Sequence, residues 1–215
     1  MKILVISAHP DDEVYGVGGT TARLTDEKHE VHVQIITEGC TAQYKDTNMI
    51  MEKRREADRM KTFLGTKDYL FGDFPDMMLD KVPQTQINAS ISGHLSRLKP
   101  EWIFTHSPTD LNKDHQIVFN ATMVASRHYP CIKRILSYEV PSSTELGESP
   151  FNPNMFVDIT EQMGRKLKAV KAYKSELREY PHGRSPEAVT ALAQFRGYSS
   201  GFPYAEAFRI VRERL

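Results

Sequence analysis

Short apolar runs alternate with longer amphipathic segments along the whole chain, and this alternation restricts the fold most strongly. The apolar runs predict strands at residues 2–8, 30–37, 68–71, 102–105, 134–140, 154–158 and 205–212. Helical spacing predicts helices at residues 12–28, 48–64, 85–98, 115–127, 160–177 and 187–195. Strands that alternate with helices favour an α/β fold with a mostly parallel sheet and helices on both faces. The length of 215 residues fits a single domain, 1–215.

The composition is that of an ordinary globular chain. Charged residues make up 26% of the sequence, and the formal net charge is zero, which does not favour nucleic acid or an anionic membrane as a partner. The two cysteines lack CxxC spacing, and no stretch has the roughly 18–20 apolar residues of a membrane span. We expect a cytoplasmic protein that acts on a small molecule, as a monomer or as a homo-oligomer.

A cluster of polar side chains follows the first apolar run directly. The sequence reads Ala-His-Pro-Asp-Asp-Glu, so that His9, Asp11 and Asp12 come just beyond residues 3–6. Open α/β sheets bind their ligands at the carboxyl ends of such strands. Imidazole nitrogen and carboxylate oxygen are good zinc ligands, and a turn can direct His9 and Asp12 at one ion while Asp11 points elsewhere. An Asp-Asp pair at a helix start can also be only an N-cap, and this alternative stays open for the motif by itself.

A second polar segment, residues 106–115, follows the strand predicted at residues 102–105. His115 opens the next predicted helix and is the best candidate for a third metal ligand beside His9 and Asp12. Three protein ligands leave one coordination position for water, which is typical of a catalytic rather than a structural zinc site. Two polar clusters that each follow an apolar strand favour a functional site over isolated capping residues.

The remaining carboxylates of the two segments have candidate roles as well. Asp11, next to the ligands but not one of them, could accept the proton of a metal-bound water. Asp114 could orient a ligand imidazole from behind. The sequence does not decide between Zn²⁺ and Fe²⁺, because Fe²⁺ can use the same ligands.

The two polar segments resemble the signatures of the PIG-L/LmbE family of zinc-dependent N-deacetylases. The first signature, a strand followed by His-Pro-Asp-Asp-Glu, is matched by residues 9–13, and the second, which ends in Asp-His, by Asp114 and His115. The resemblance continues through residues 14–20, 54–56, 74–76 and 204–208. It implies a Rossmann-like fold and metal-dependent removal of the N-acetyl group from an N-acetylglucosamine-type sugar or glycoconjugate, with release of acetate.

The resemblance also implies a role for each matched residue. It assigns zinc binding to His9, Asp12 and His115, and the role of general base to Asp11. It places Arg54 near the substrate, where a guanidinium group can hold an anionic or hydroxyl-rich group. A solvated helix face is the alternative explanation of Arg54.

One position departs from the family pattern. Many relatives have His-Pro-Asp-His in the second signature, where this chain has Asn-Lys-Asp-His at residues 112–115. Asn112 can donate a hydrogen bond to the substrate, but it cannot act as the acid that protonates the leaving amine. His106 and His182 are the candidates for that proton, and each could equally be an ordinary loop histidine. We predict a catalytic role for His106 and substrate contacts for Asn112 and His182.

Three other functions stay open from the sequence. A related metal-dependent amidase would act on an amide conjugate other than an acetyl group. A dinucleotide-binding protein is suggested by the glycines within residues 16–19, but no GxGxxG follows the strand, and carboxylates occupy the phosphate turn. A non-catalytic binding module could keep the fold and the metal. In each case, we expect loops at residues 39–46, 72–84 and 142–153 to shape specificity.

Overall fold

The computed structural model describes residues 1–40 and 48–214. The strands of this part are β1 (Lys2–Ser7), β2 (Glu30–Thr37), β3 (Asp68–Phe74), β4 (Trp102–His106), β5 (Arg134–Tyr138), β6 (Met155–Asp158) and β7 (Ala205–Glu213). The helices are α1 (Asp12–Asp26), α2 (Asn48–Leu64), α3 (Gln84–Leu98), α4 (Lys113–Ser126), α5 (Met163–Ala172) and α6 (Pro186–Tyr198). Every predicted strand and helix is present, whereas residues 41–46 of the first predicted specificity loop lie outside the described residues.

The described strands form one sheet with the order β3-β2-β1-β4-β5-β7-β6. β1 pairs in parallel with β2 and β4, and parallel pairing continues to β3 on one side and to β5 on the other. β7 runs antiparallel to both of its neighbours, β5 and β6. The predicted α/β fold with a mostly parallel sheet is therefore confirmed.

Helices cover both faces of the sheet. Along β1, Ile3 and Val5 belong to the core beneath α1, α2, α5 and α6, whereas Leu4 and Ile6 belong to the core beneath α3 and α4. All four side chains are buried, which explains why β1 is apolar throughout instead of alternating with polar residues. Among the described helices, none is both long and apolar enough to cross a membrane.

Most elements differ from the predicted ones by one to three residues at a boundary, and α5 differs more. β3 continues to Phe74 instead of ending at residue 71, because its pairing with β2 resumes beyond an irregularity. α5 is much shorter than the helix predicted at residues 160–177. Where the predicted helix would begin, Thr160 donates its backbone N–H to the Asp158 carboxylate at 2.9 Å, so the chain is still in a turn at this point. The chain turns again after α5, and the following residues form a loop.

The strand order makes the region between β1 and β4 a topological switch point. The chain continues from β1 to β2 and β3 on one side of the sheet, and then returns to the other side of β1 to form β4. Loops that leave two such strands diverge and open a crevice at their carboxyl ends. The two polar segments found in the sequence follow β1 and β4, so the fold brings them together at this crevice.

Candidate metal centre and cleft

The turn after β1 has an unusual backbone conformation at Asp11. Its φ of 121° and ψ of −33° lie outside the regions that L-residues normally adopt. The Glu13 carboxylate accepts the Asp11 N–H at 3.0 Å, and the Asp12 carboxylate accepts the His9 N–H at 2.9 Å. Strained residues of this kind persist where the surroundings hold them, and they cluster at functional sites. As a result, Asp12 faces the histidines while Asp11 faces Arg184.

Three donor atoms meet at the carboxyl ends of β1 and β4. His9 Nδ1 lies 3.2 Å from both Asp12 Oδ2 and His115 Nε2, and His115 Nε2 lies 3.3 Å from Asp12 Oδ2. Ligand atoms in tetrahedral coordination, with zinc bonds of about 2.0–2.1 Å, lie about 3.3 Å from one another. The spacing of these three atoms therefore suits a single bound ion.

The charges of the cluster also suit a cation. Burial by itself lowers the pKa of His9, but Asp114 and Asp12 raise it to about 10. Burial by itself raises the pKa of Asp12, but His115 and His9 together lower it well below its usual range. The second carboxylate oxygen of Asp12, Oδ1, is buried and has no hydrogen-bond partner among the described residues. An electron-rich donor set with an unpaired buried oxygen fits a divalent metal ion.

Asp110 lies behind the ligand imidazole of His115. Its Oδ2 is 3.1 Å from His115 Nδ1, and the hydroxyl groups of Ser143 and Thr144 donate hydrogen bonds to the same carboxylate. Burial raises the pKa of Asp110, but His115 and the two hydroxyl groups outweigh this effect and lower it to about 2. An ionised carboxylate at this place keeps a proton on Nδ1 and leaves Nε2 for the metal.

Two further carboxylates face the other ligand imidazole. His9 Nε2 lies 3.3 Å from Asp114 Oδ2 and 3.4 Å from Asp76 Oδ1. The backbone N–H of Leu79 binds Asp114 Oδ1 at 3.1 Å and fixes this carboxylate. Asp114 thus occupies the position expected of a residue that orients a metal ligand. Asp76, Asp114 and His9 also form a second group of close donors, but its imidazole atom is Nε2, not the Nδ1 that faces Asp12.

Asp11 belongs to a separate network of charges. Arg184 Nη1 donates to Asp11 Oδ2 at 2.8 Å and to Glu176 Oε2 at 3.1 Å, and Lys53 donates to Glu176 Oε1. Asp11, Lys53 and Glu176 are buried. Burial raises the pKa of Asp11 to about 8, while the Arg184 guanidinium acts in the opposite direction. A carboxyl group whose pKa is near neutrality can take up and release a proton under working conditions.

A cleft of about 260 Å³ opens beside both groups of residues. This volume is just below the usual range of small-ligand clefts, which is about 300–1,000 Å³. His9 and Asp11 line it on the side of the donor cluster, and Lys53, Glu176 and Arg184 line it as well. His9 of the donor cluster and the Asp11 carboxyl are therefore open to the same ligand.

Asn112 and His182, the predicted substrate contacts, both line the cleft. The Asn112 side chain caps α4, because its Oδ1 accepts the backbone N–H of Asp114 at 2.9 Å. His182 is exposed, and its Nδ1 accepts the backbone N–H of Arg184 at 3.1 Å. In the neutral imidazole this bond leaves the proton on Nε2, which can serve as a donor.

Arg54 does not reach the cleft, contrary to the prediction. Its guanidinium pairs with Asp73 and lies 5.2 Å from the centre of the Phe71 ring. Lys53, the preceding residue of α2, is the one that lines the cleft. Successive residues of a helix point about 100° apart, so Lys53 faces the cleft while Arg54, the next residue, faces away from it.

His106 does not reach the cleft either. It is fully buried, its Nε2 accepts the Ala8 N–H at 2.8 Å, and its ring stacks on His115 with centroids 3.9 Å apart. A general acid has to come within hydrogen-bond distance of the substrate. The predicted proton-donor role therefore does not fit this position, and His106 instead fixes the turn after β1 against His115.

Six charged residues of the site were not predicted: Lys53, Asp76, Asp110, Glu176, Arg178 and Arg184. Asp110 lies in the polar segment after β4 and Asp76 in the loop after β3, so their place beyond a strand was an available signal. Glu176 and Arg184 lie in the loop after α5, where no local pattern marks them. They reach the site only because the chain turns there instead of continuing the helix.

Comparison with known families agrees with this arrangement. The family model described as PIG-L, GlcNAc-PI de-N-acetylase, matches residues 4–126, which is more than half of the chain. The chain belongs to the PIG-L family. The matched PIG-L region contains most of β1, all of α4 and the three clustered donor residues, and the predicted family resemblance is confirmed.

Individual relatives match the chain over most of its length. The chain is 30% identical to YaiS of Escherichia coli K12, named as an uncharacterized deacetylase, over 182 residues, 80% of this chain and 90% of the relative. It is 27% identical over 224 residues to diacetylchitobiose deacetylase of Thermococcus kodakarensis, covering 98% and 83% of the two chains. The crystal structure of the conserved protein TT1542 from Thermus thermophilus has a TM-score of 0.81 and 27% identity over 99% of this chain and 96% of that one. The PIG-L fold therefore extends beyond the region that the family model matches.

Proposed function

We propose that this PIG-L protein is a metal-dependent hydrolase that removes the N-acetyl group from an N-acetylglucosamine-type sugar or glycoconjugate and releases acetate. The observation that carries this proposal is the donor triangle of His9, Asp12 and His115 next to a cleft that His9 and Asp11 both line. The family description and the relative named diacetylchitobiose deacetylase support an N-acetylated amino sugar as the substrate class.

His9 Nδ1, Asp12 Oδ2 and His115 Nε2 would hold the metal ion, because their types and spacing suit Zn²⁺. Fe²⁺ is the alternative with the same ligands. When bound, such an ion polarises the amide carbonyl and lowers the pKa of water. Asp110 and Asp114 keep the two imidazoles oriented toward it.

Asp11 acts as the general base in this proposal. Its carboxyl lines the cleft, and Arg184 holds Oδ2 while Oδ1 makes no hydrogen bond to a described residue. Oδ1 can therefore accept the proton of the water that attacks the amide carbon. The raised pKa of Asp11 suits a group that stores this proton during the reaction.

His182 donates a hydrogen bond to the substrate in this proposal. It lines the cleft, and the bond from the Arg184 N–H to its Nδ1 places a donor proton on Nε2. The leaving nitrogen takes up the proton that Asp11 has accepted from the water. Asn112 lines the same cleft, but its amide is not acidic enough for proton transfer and is already engaged in capping α4. Water supplies the hydroxyl group of acetate, and the sugar leaves as a free amine.

The substitution Asp11→Asn tests the proposal directly. We expect the variant to bind metal as the wild type does and to lose about 10²–10⁴-fold in turnover, the usual contribution of a general base. Metal content is measured by elemental analysis, and acetate release is measured with N-acetylglucosamine and N,N′-diacetylchitobiose. Asp73→Asn is the matched control, because Asp73 is exposed and pairs only with Arg54 among the described residues.

Two results would contradict the proposal. Full activity of Asp11→Asn would remove Asp11 as the base. A metal-loaded wild type that releases no acetate from any N-acetylated sugar, yet cleaves another amide conjugate, would identify a different amidase of the same family.

A further inference from the structure

We infer that the cleft contains a subsite for an acidic group of the substrate, a carboxylate or a phosphate, which Arg178 binds with the help of Arg184. The inference rests on the proposed N-deacetylase function and narrows its substrate to N-acetylated sugars that carry an oxyanion.

The cleft contains three cationic side chains. Lys53, Arg178 and Arg184 all line it. Glu176 binds both Lys53 and Arg184, and Asp11 is the second partner of Arg184. Lys53 and Arg184 thus pair with carboxylates of the cleft, one of which is the proposed general base.

The third carboxylate of the cleft belongs to the metal side. Asp76 lies 3.4 Å from His9 Nε2, among the groups that surround the donor cluster. The charges of His9 and Lys53 both act on Asp76. Arg178 is the cation of the cleft that forms no ion pair with a described carboxylate.

Some N–H donors of the Arg178 guanidinium make no hydrogen bond to a described residue and can therefore bind a ligand. Its Nη1 donates to the backbone carbonyls of Ser175 and Leu177 at 2.9 and 3.1 Å, and no described carboxylate lies within ion-pair distance of its guanidinium. Arg184 uses Nε and Nη1 for Ser142, Asp11 and Glu176, while its Nη2 binds no described residue. Two guanidinium groups from one loop therefore offer N–H donors to the same cleft.

The chemistry of these donors selects the ligand. Guanidinium groups bind carboxylates and phosphates through two parallel N–H bonds, which a hydroxyl group cannot match. The carbonyl bonds of Arg178 fix one edge of its planar guanidinium and leave the other edge for an oxyanion. An acetamide next to His9 and an acidic substituent at Arg178 would lie in the same cleft.

The test compares neutral and acidic sugars on the metal-loaded enzyme. The neutral probe is the methyl glycoside of N-acetylglucosamine. The acidic probes are N-acetylglucosamine 1-phosphate, N-acetylglucosamine 6-phosphate and the carboxymethyl glycoside of N-acetylglucosamine. We expect kcat/KM for at least one acidic probe to exceed that of the neutral probe about tenfold or more, since charge-assisted hydrogen bonds are about twice as strong as neutral ones. Which probe is preferred distinguishes phosphate from carboxylate.

Variants connect this preference to Arg178. Arg178→Met should abolish the ratio of acidic to neutral kcat/KM, whereas Arg178→Lys should retain part of it because the charge remains. Lys174→Met is the matched control: it removes one positive charge from the same loop, but Lys174 does not line the cleft. It should keep the wild-type ratio.

A binding measurement separates the subsite from catalysis. Glucosamine 1-phosphate and glucosamine, two amine products, are titrated into the wild type and Arg178→Met by calorimetry. Tighter binding of the phosphate that is lost in the variant supports the subsite. Equal kcat/KM for acidic and neutral probes, or a preference that survives Arg178→Met, would overturn it. Absence of turnover with every probe would instead contradict the proposed N-deacetylase function.

Discussion

At the scale of single residues, the neighbouring cations of α2 have different surroundings: Lys53 lines the cleft, whereas Arg54 pairs with an exposed carboxylate. Lys53→Met removes a buried partner of Glu176, so we expect a loss of about 1–3 kcal/mol in the free energy of unfolding and a lower kcat/KM. Arg54→Met should change stability by less than about 1 kcal/mol, because its partner Asp73 is exposed. Urea denaturation and steady-state kinetics measure both effects. Equal kinetic losses in the two variants would contradict the placement of Lys53 in the cleft.

Glu13 is expected to control the position of the general base without touching the substrate. Its Oε2 accepts the N–H of Asp11, and its Oε1 accepts the Tyr173 hydroxyl at 2.6 Å. Glu13→Gln replaces one acceptor by an NH₂ group, which leaves one of these donors unpaired at a cost of about 1–3 kcal/mol. We predict a lower kcat with little change in metal content, because the strained turn at Asp11 loses its support. Glu27→Gln, on the exposed end of α1, is the control. A kcat equal to that of the wild type would show that the turn at Asp11 keeps its conformation without the Glu13 carboxylate.

At the scale of elements, an ion pair fastens α1 to the antiparallel end of the sheet. Glu206 of β7 accepts the backbone N–H groups of Gly19 and Thr20 at 2.8 and 2.7 Å, and Lys166 of α5 binds both Glu206 and the Tyr15 carbonyl. All of these groups are buried. The helix that carries Asp12 at its start is thereby held against β7.

Removal of one partner of this pair should be strongly destabilising. Glu206→Gln leaves the Lys166 ammonium without its buried counter-charge, so we predict a loss of about 3–5 kcal/mol in the free energy of unfolding. Adding Lys166→Met should recover part of this loss, and a double-mutant cycle by urea denaturation gives the coupling energy. The exposed Arg23–Glu27 pair is the reference and should couple by about 0.2–1 kcal/mol. A buried pair that couples no more strongly than this reference would refute the prediction.

The elements and the donor cluster were predictable from the sequence for a local reason. Apolar runs predict strands. His9 and Asp12 lie within four positions of each other at the end of a strand, so the local turn is enough to bring their side chains together. Pairing them with His115 required only the rule that parallel strands end at one edge of the sheet. By contrast, Arg184 and Glu176 are 173 and 165 positions beyond Asp11, and only the early end of α5 brings them to it.

At the scale of the whole molecule, the site joins parts of the chain that are distant in sequence. The donor atoms come from the turn after β1 and from α4, whereas the network around Asp11 comes from α2 and the loop after α5. The β1–β4 switch point gives these segments one edge of the sheet on which to meet. An ion that binds this arrangement binds the folded chain and not the unfolded one, so metal affinity is expected to add to the stability of the whole fold.

Metal removal should therefore lower the melting temperature of the whole molecule. Zinc at about 100 times its Kd stabilises a fold by about 2.7 kcal/mol, which in a chain of this size corresponds to a Tm shift of roughly 5–10 °C. Calorimetry of the chelated and reloaded protein measures this shift. His115→Ala should lack it, because the variant loses a donor of the triangle, whereas His182→Ala should keep it, because His182 lines the cleft without belonging to the triangle. If zinc raised the Tm of His115→Ala as much as that of the wild type, the stabilising ion would have to bind elsewhere. The proposal of metal-dependent hydrolysis at this cleft would then be contradicted.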